Sequence, residues 1–158
     1  MDALGPRPDT PHEREVLRAV TAFIADNGLR DRVAVTTTPG TESHGLIIAL
    51  SATAPGRSAV TVQVESADEL TYRIGKALEG ELRHRPGSTT ELIDLLAGVF
   101  LTDMTEELRY DAAGDTVGAV LSITLGGRRR TLRWSDGFTR WRSRETLTHQ
   151  GLGGGTSV

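Results

Sequence analysis

The chain has 158 residues, 37% hydrophobic and 25% charged, with a formal net charge of −3. That length fits one domain around one core. Zero cysteines exclude a disulfide framework, a thiolate metal centre and a cysteine nucleophile together.

Chain order begins with clear punctuation. Thr10-Pro11-His12-Glu13 is a capping box with proline at the first helical position, where its missing N–H costs nothing. Val16, Leu17, Val20, Phe23 and Ile24 form one apolar stripe, and Asn27-Gly28 supplies a left-handed stop, so a helix is predicted over 11–27. Three strands are expected next, as a meander. Val33 to Thr38 stops at Pro39-Gly40; Gly45 to Ala52 is apolar on both parities; Ser58 to Glu65 alternates valines with polar residues.

Two further helices are predicted. Ser66-Ala67-Asp68-Glu69 has the form of a second capping box, followed by Leu70, Ile74, Ala77, Leu78 and Leu82 at helical spacing. Arg83, His84 and Arg85 suit the negative end of that helix, and Pro86-Gly87 ends it. Ser88-Thr89-Thr90-Glu91 opens the next, carrying Leu92, Leu95, Leu96, Val99 and Phe100. A second meander then closes the domain. Leu108 to Tyr110 reads as a short strand before an Asp111–Asp115 turn, and Val117 to Leu125 alternates over nine residues. Gly126-Gly127 and Asp136-Gly137 each suit a two-residue hairpin, into Arg128–Trp134 and Phe138–Thr146. The expected fold is α+β: an N-terminal helix, a three-stranded antiparallel meander, two helices, and a three- to four-stranded antiparallel meander. Residues 1–150 form the domain, and glycine-rich 151–158 is expected to be a disordered tail.

Charge is unevenly placed. Residues 1–107 hold 10 basic and 17 acidic side chains, whereas residues 108–158 hold 8 basic and 4 acidic. Seven arginines lie between Arg128 and Arg144 against one acid, Asp136. With Asp136-Gly137 as the turn, Arg133 faces Arg140, Thr131 faces Arg142 and Arg129 faces Arg144, while Trp134 and Trp141 turn toward the core. Like charges opposite one another destabilise a sheet, so such a ladder calls for relief. An anionic partner would provide it, binding through Arg129, Arg133, Arg140, Arg142 and Arg144. A solvated edge that resists aggregation would need no partner.

Other chemistries leave little trace. His12, His44, His84 and His149 fall in different elements with no i, i+4 pair, and read as surface or capping residues. There is no G-x-S-x-G motif, and the glycine-rich tail lacks the lysine, strand and helix of a phosphate loop. The acids Asp103, Glu106, Glu107, Asp111 and Asp115 are the remaining candidate site, although Asp103–Glu106 also matches a helix cap and Asp111–Asp115 a turn. No catalytic residue, metal or cofactor is implied. The longest apolar run, Leu46 to Leu50, is too short to cross a bilayer, and Met1 to Thr10 lacks the apolar stretch of a secretory leader, so a cytoplasmic location is expected. The reading is a non-enzymatic, bacterial-type protein-binding module of the immunity, chaperone or adaptor kind. The alternative is a nucleic-acid or phosphate-ligand binder using the arginine-rich face, with a homodimer left open.

Overall fold

The computed structural model describes residues 10–42, 44–53, 59–64, 69–76, 78–83, 88–137 and 140–152. Along the chain run α1 (Pro11–Asp26), β1 (Val33–Glu42), β2 (His44–Ala52), β3 (Ala59–Val64), β4 (Glu69–Ile74) and β5 (Leu78–Arg83). They are followed by α2 (Ser88–Phe100), β6 (Met104–Tyr110), β7 (Thr116–Leu125), β8 (Arg128–Ser135) and β9 (Ser143–His149). The strands form two antiparallel sheets, β1-β2-β3-β4-β5 and β8-β7-β6-β9. The α+β class and the antiparallel sheets agree with the sequence; the helix count and the last strand order do not.

The first helix forms as its residues dictate. Thr10 Oγ1 accepts the Glu13 N–H at 3.1 Å, and the Glu13 carboxylate accepts the Thr10 N–H at 3.3 Å. Val16, Val20, Phe23 and Ile24 are buried. Gly28 at φ +65° turns the chain, so that the Leu29 N–H reaches Ile24 O at 2.9 Å and Leu29 enters the core.

Glu69–Ile74 and Leu78–Arg83 are strands, not parts of the predicted second helix, and Ala77 of its stripe lies outside the described residues. Leu70, Ile74, Leu78 and Leu82 also fit period two around a turn at Gly75-Lys76, and that fit is the one adopted. Gly75 has φ +63°, which an L residue adopts only with strain. The capping-box residues Ser66, Ala67 and Asp68 lie outside the described residues, as does His84. β1 likewise runs through Pro39 to Glu42, with a register shift between them. An edge strand tolerates proline because nothing pairs with its outer side.

α2 packs against β7 of the second sheet and β3 and β5 of the first. Its Gly98 is required by that approach, since a Cβ there would overlap the Thr124 carbonyl oxygen. One core joins both sheets and both helices, centred on Ile48, Val62, Ile74, Leu92, Leu96, Phe100 and Leu121. Leu152 belongs to it: it is buried, its N–H donates to Phe100 O, and Gly151 N–H donates to Asp103 Oδ1 at 2.8 Å. Residues 151 and 152 are thus tied to the core, and the rest of the expected tail, 153–158, lies outside the described residues. Among the described residues, no helix is long and apolar enough to cross a membrane.

The second sheet departs most from the expected meander. Gly126 and Gly127, at φ +56° and +78°, make the tight hairpin between Leu125 and Arg128 as predicted. Asp111 Oδ1 accepts the N–H groups of Ala113 and Asp115, as the turn reading requires. β9, however, pairs with β6 and not with β8. β8 and β9 therefore stand on opposite edges of the sheet.

Candidate functional site

Pairing partners directly opposite one another share a face of a sheet. Thr124 lies opposite Arg129, Val120 opposite both Arg133 and Glu107, and Arg109 opposite Arg144. Arg109, Glu107, Arg129, Arg133 and Arg144 therefore occupy the outer face of the second sheet. Its inner face carries Glu106, Leu108, Ala119, Leu121 and Ile123, all buried.

The expected ladder is thus corrected in register. Arg129 and Arg133 stand on one edge strand and Arg144 on the other, with β7 and β6 between them. Arg133 does not face Arg140, nor Arg129 Arg144. Arg140 and Arg142 precede β9, exposed and outside any strand. Arg129, Arg133 and Arg144 still share a face, because a strand's alternation is fixed even when its partner is not; strand parity does not place Arg140 and Arg142 there.

One like-charge pair does exist, Arg109 opposite Arg144. Glu107, two residues from Arg109 and therefore on the same face, relieves it. Its Oε1 accepts from Arg109 Nε at 2.8 Å, and its Oε2 lies 3.7 Å from Arg144 Nη1. Arg129 is also tied down: its Nε donates to Ser122 Oγ at 3.1 Å and its Nη1 to Asp103 O at 2.8 Å. Among the described residues, no carboxylate pairs with Arg133, Arg140 or Arg142.

Trp141 is the largest departure from the expected arrangement. The sequence register turned it inward, but it precedes β9, is 46% exposed, and sits with its ring centroid 5.1 Å from the Arg109 guanidinium carbon. Trp134 does point to the core side, as expected. A run of arginines around an isolated tryptophan was the available signal; a hairpin assumed to be local hid it.

The acidic candidates do not converge. Asp103 accepts from Gly151, Asp111 holds its turn, and Glu106 and Glu107 point to opposite faces of β6. Asp103 to Glu106 is not a cap but the entry to a strand. Glu106 is fully buried, and His149, read as a surface or capping residue, is buried beside it, with Nε2 3.5 Å from Glu106 Oε1.

Sequence reasoning also missed a cleft of about 500 Å³ between β4, β5, α2 and the β7–β8 hairpin. Leu82, Leu95, Leu125 and Leu132 give it apolar walls, and Arg128, Arg130, Glu91 and Asp94 line it too. Tyr72 reaches this cleft and lies over Gly80, directly opposite it, where a Cβ would overlap the phenol. Burial first, and the charge of Glu91 second, raise the Tyr72 pKa above its ordinary 10.0. Tyr110 is raised as well, chiefly because its hydroxyl donates to Glu145 Oε2 at 2.9 Å. No family model matches the chain, and no curated protein and no solved structure matches it either.

Proposed function

We propose that this chain is a non-enzymatic docking module whose second sheet presents its outer face to an acidic protein surface. One observation carries the reading: exposed Trp141 stacked on Arg109, on a sheet face that also holds Arg129, Arg133 and Arg144, with Arg140 and Arg142 its neighbours in sequence and Glu107 the only carboxylate on that face among the described residues. Tryptophan and arginine dominate the energetics of protein interfaces, because each buries a large area and offers a directional polar group. The cations without a carboxylate partner steer an acidic surface inward and fix its orientation. A protein segment fits better than nucleic acid, since among the described residues Trp141 is the only exposed aromatic side chain, and nucleic-acid strands are held by stacking on several.

The test is retention on immobilised polyglutamate, with single-stranded DNA as a competing probe. Retention should fall steeply between low salt and about 0.5 M salt. Arg133→Glu with Arg140→Glu, and separately Trp141→Ala, should each release the protein without lowering its melting temperature appreciably. Equal retention of all three proteins overturns the reading. Preferential binding of DNA with a steep salt slope replaces it with the nucleic-acid alternative.

A further inference from the structure

We infer that the partner binds in extended form, as an acidic strand added along the open side of β9. This inference rests on the docking reading above and specifies how that face is used.

The four sheet edges differ. β1 carries Pro39 and a register shift, devices that blunt an edge. β5 and β8 approach one another and line two common clefts, with Trp134 and Glu79 to Glu81 around one and Leu132 and Leu82 around the other, so neither edge lies open along a free side of the molecule. β9 has neither protection. It pairs with β6 over seven consecutive positions without a shift, and among the described residues no strand lies along its other side. Ser143, Arg144, Glu145 and Thr146 are exposed on both faces. A regular strand of this kind offers a row of backbone donors and acceptors to another extended chain.

Charge decides the occupant. A strand beside β9 sets alternate side chains on the outer face, next to Arg144 and close in sequence to Arg140, Trp141 and Arg142. An acid beside Arg144 meets its guanidinium, acids toward that end of the strand meet the segment carrying Arg140 and Arg142, and an apolar residue at the same end reaches the tryptophan. Its other side chains fall beside Glu145 and Leu147, where an acid would be repelled. The partner is therefore an extended segment alternating acidic with neutral residues. A second copy of β9 would not match, because its outer-face residues are Arg144, Thr146 and Thr148.

The probe is an eight-residue capped peptide alternating Glu and Thr. Two further versions carry N-methyl groups on all Glu amides or on all Thr amides, which blocks one edge of the strand each. Strand addition predicts that one version loses at least about tenfold in affinity while the other binds nearly as the parent does. Amide exchange across 143–149 should slow on binding the parent peptide. If both methylated versions bind like the parent, strand addition fails and side-chain docking stands. If polyglutamate retains the protein but the peptide does not bind it, strand addition fails alone. If the protein is neither retained nor bound by the peptide, both readings fall. Equal losses from both versions without slower exchange in β9 also overturn the inference.

Discussion

Glu106 Oε1 lies 3.5 Å from His149 Nε2, and the two residues are 0% and 7% exposed. The other carboxylate oxygen accepts the Lys76 N–H at 2.9 Å. Glu106 thus joins three parts of the chain: β6 that carries it, the β4–β5 turn of the other sheet, and the end of edge strand β9. A buried carboxylate persists only when its surroundings replace the water it lost. Glu106→Ala leaves the Lys76 N–H without its acceptor and empties space beside His149, and should cost about 1–3 kcal/mol. Glu106→Gln keeps the size and an acceptor for Lys76, and should cost clearly less. Urea titration decides this, with the slope unchanged if only the native contacts are affected. A loss below about 1 kcal/mol for Glu106→Ala would mean that the pair only offsets its own desolvation.

The same carboxylate explains why residue 75 is glycine. A Cβ at Gly75 would overlap Glu106 Oε2, and the φ of +63° is strained for any L residue. Gly114, at φ +86° with nothing within 4 Å of a Cβ, provides the control. Gly114→Ala should lose about 1–2 kcal/mol from backbone strain alone. Gly75→Ala should lose more, because Glu106 must also move and its bond to Lys76 is put at risk. Equal losses would show that the carboxylate yields freely.

Both tyrosines in the chain, Tyr72 and Tyr110, ionise above the ordinary 10.0, so the whole phenolate absorbance of the native protein should titrate above it. In denaturing urea the curve should fall back to about 10. The sign for stability follows. The folded state holds its phenol protons where the unfolded state has begun to release them, so stability is intact below about pH 10 and declines as pH rises through the folded values. Tyr72→Phe should flatten part of that decline. Gly80→Ala should push the phenol off its partner strand and return the Tyr72 titration toward its usual range. An unchanged native curve in Gly80→Ala would show that burial elsewhere sets the shift.

Legibility followed the range of the interactions. Caps, tight turns and strand parity are local, and α1, α2, the Gly126-Gly127 hairpin and the inner residues of β7 were readable from spacing. Residues 70–82 satisfied two periods at once. The glycine at 75 was the signal that a turn interrupts them, but a convincing capping motif outweighed it. The pairing of β9 with β6 spans more than thirty residues, and a two-residue turn motif at Asp136-Gly137 favoured the nearer partner. Parity placed Arg129, Arg133 and Arg144 on one face regardless. It could not show that Glu107 stands among them, that Trp141 is exposed, or that Glu106 and His149 meet inside.

Glu107 provides the sharpest test of that face. It is partly buried and serves two arginines that lie opposite one another on β6 and β9. Glu107→Gln removes the only charge between them, so the Arg109–Arg144 repulsion is no longer offset. Arg144 is largely solvated, which limits the effect to about 0.5–1 kcal/mol. Because the lost interaction is electrostatic and near the surface, the deficit should shrink at about 0.5 M salt, where the screening length falls to a few ångströms. Adding Arg144→Gln should restore most of the stability, since the remaining guanidinium still stacks on Trp141. The corresponding change at Arg133 should not, because Arg133 has no cation opposite it. Equal recovery from Arg133→Gln would point to general repulsion across the face in place of this one pair, and a deficit independent of salt would mean that Glu107 acts through packing.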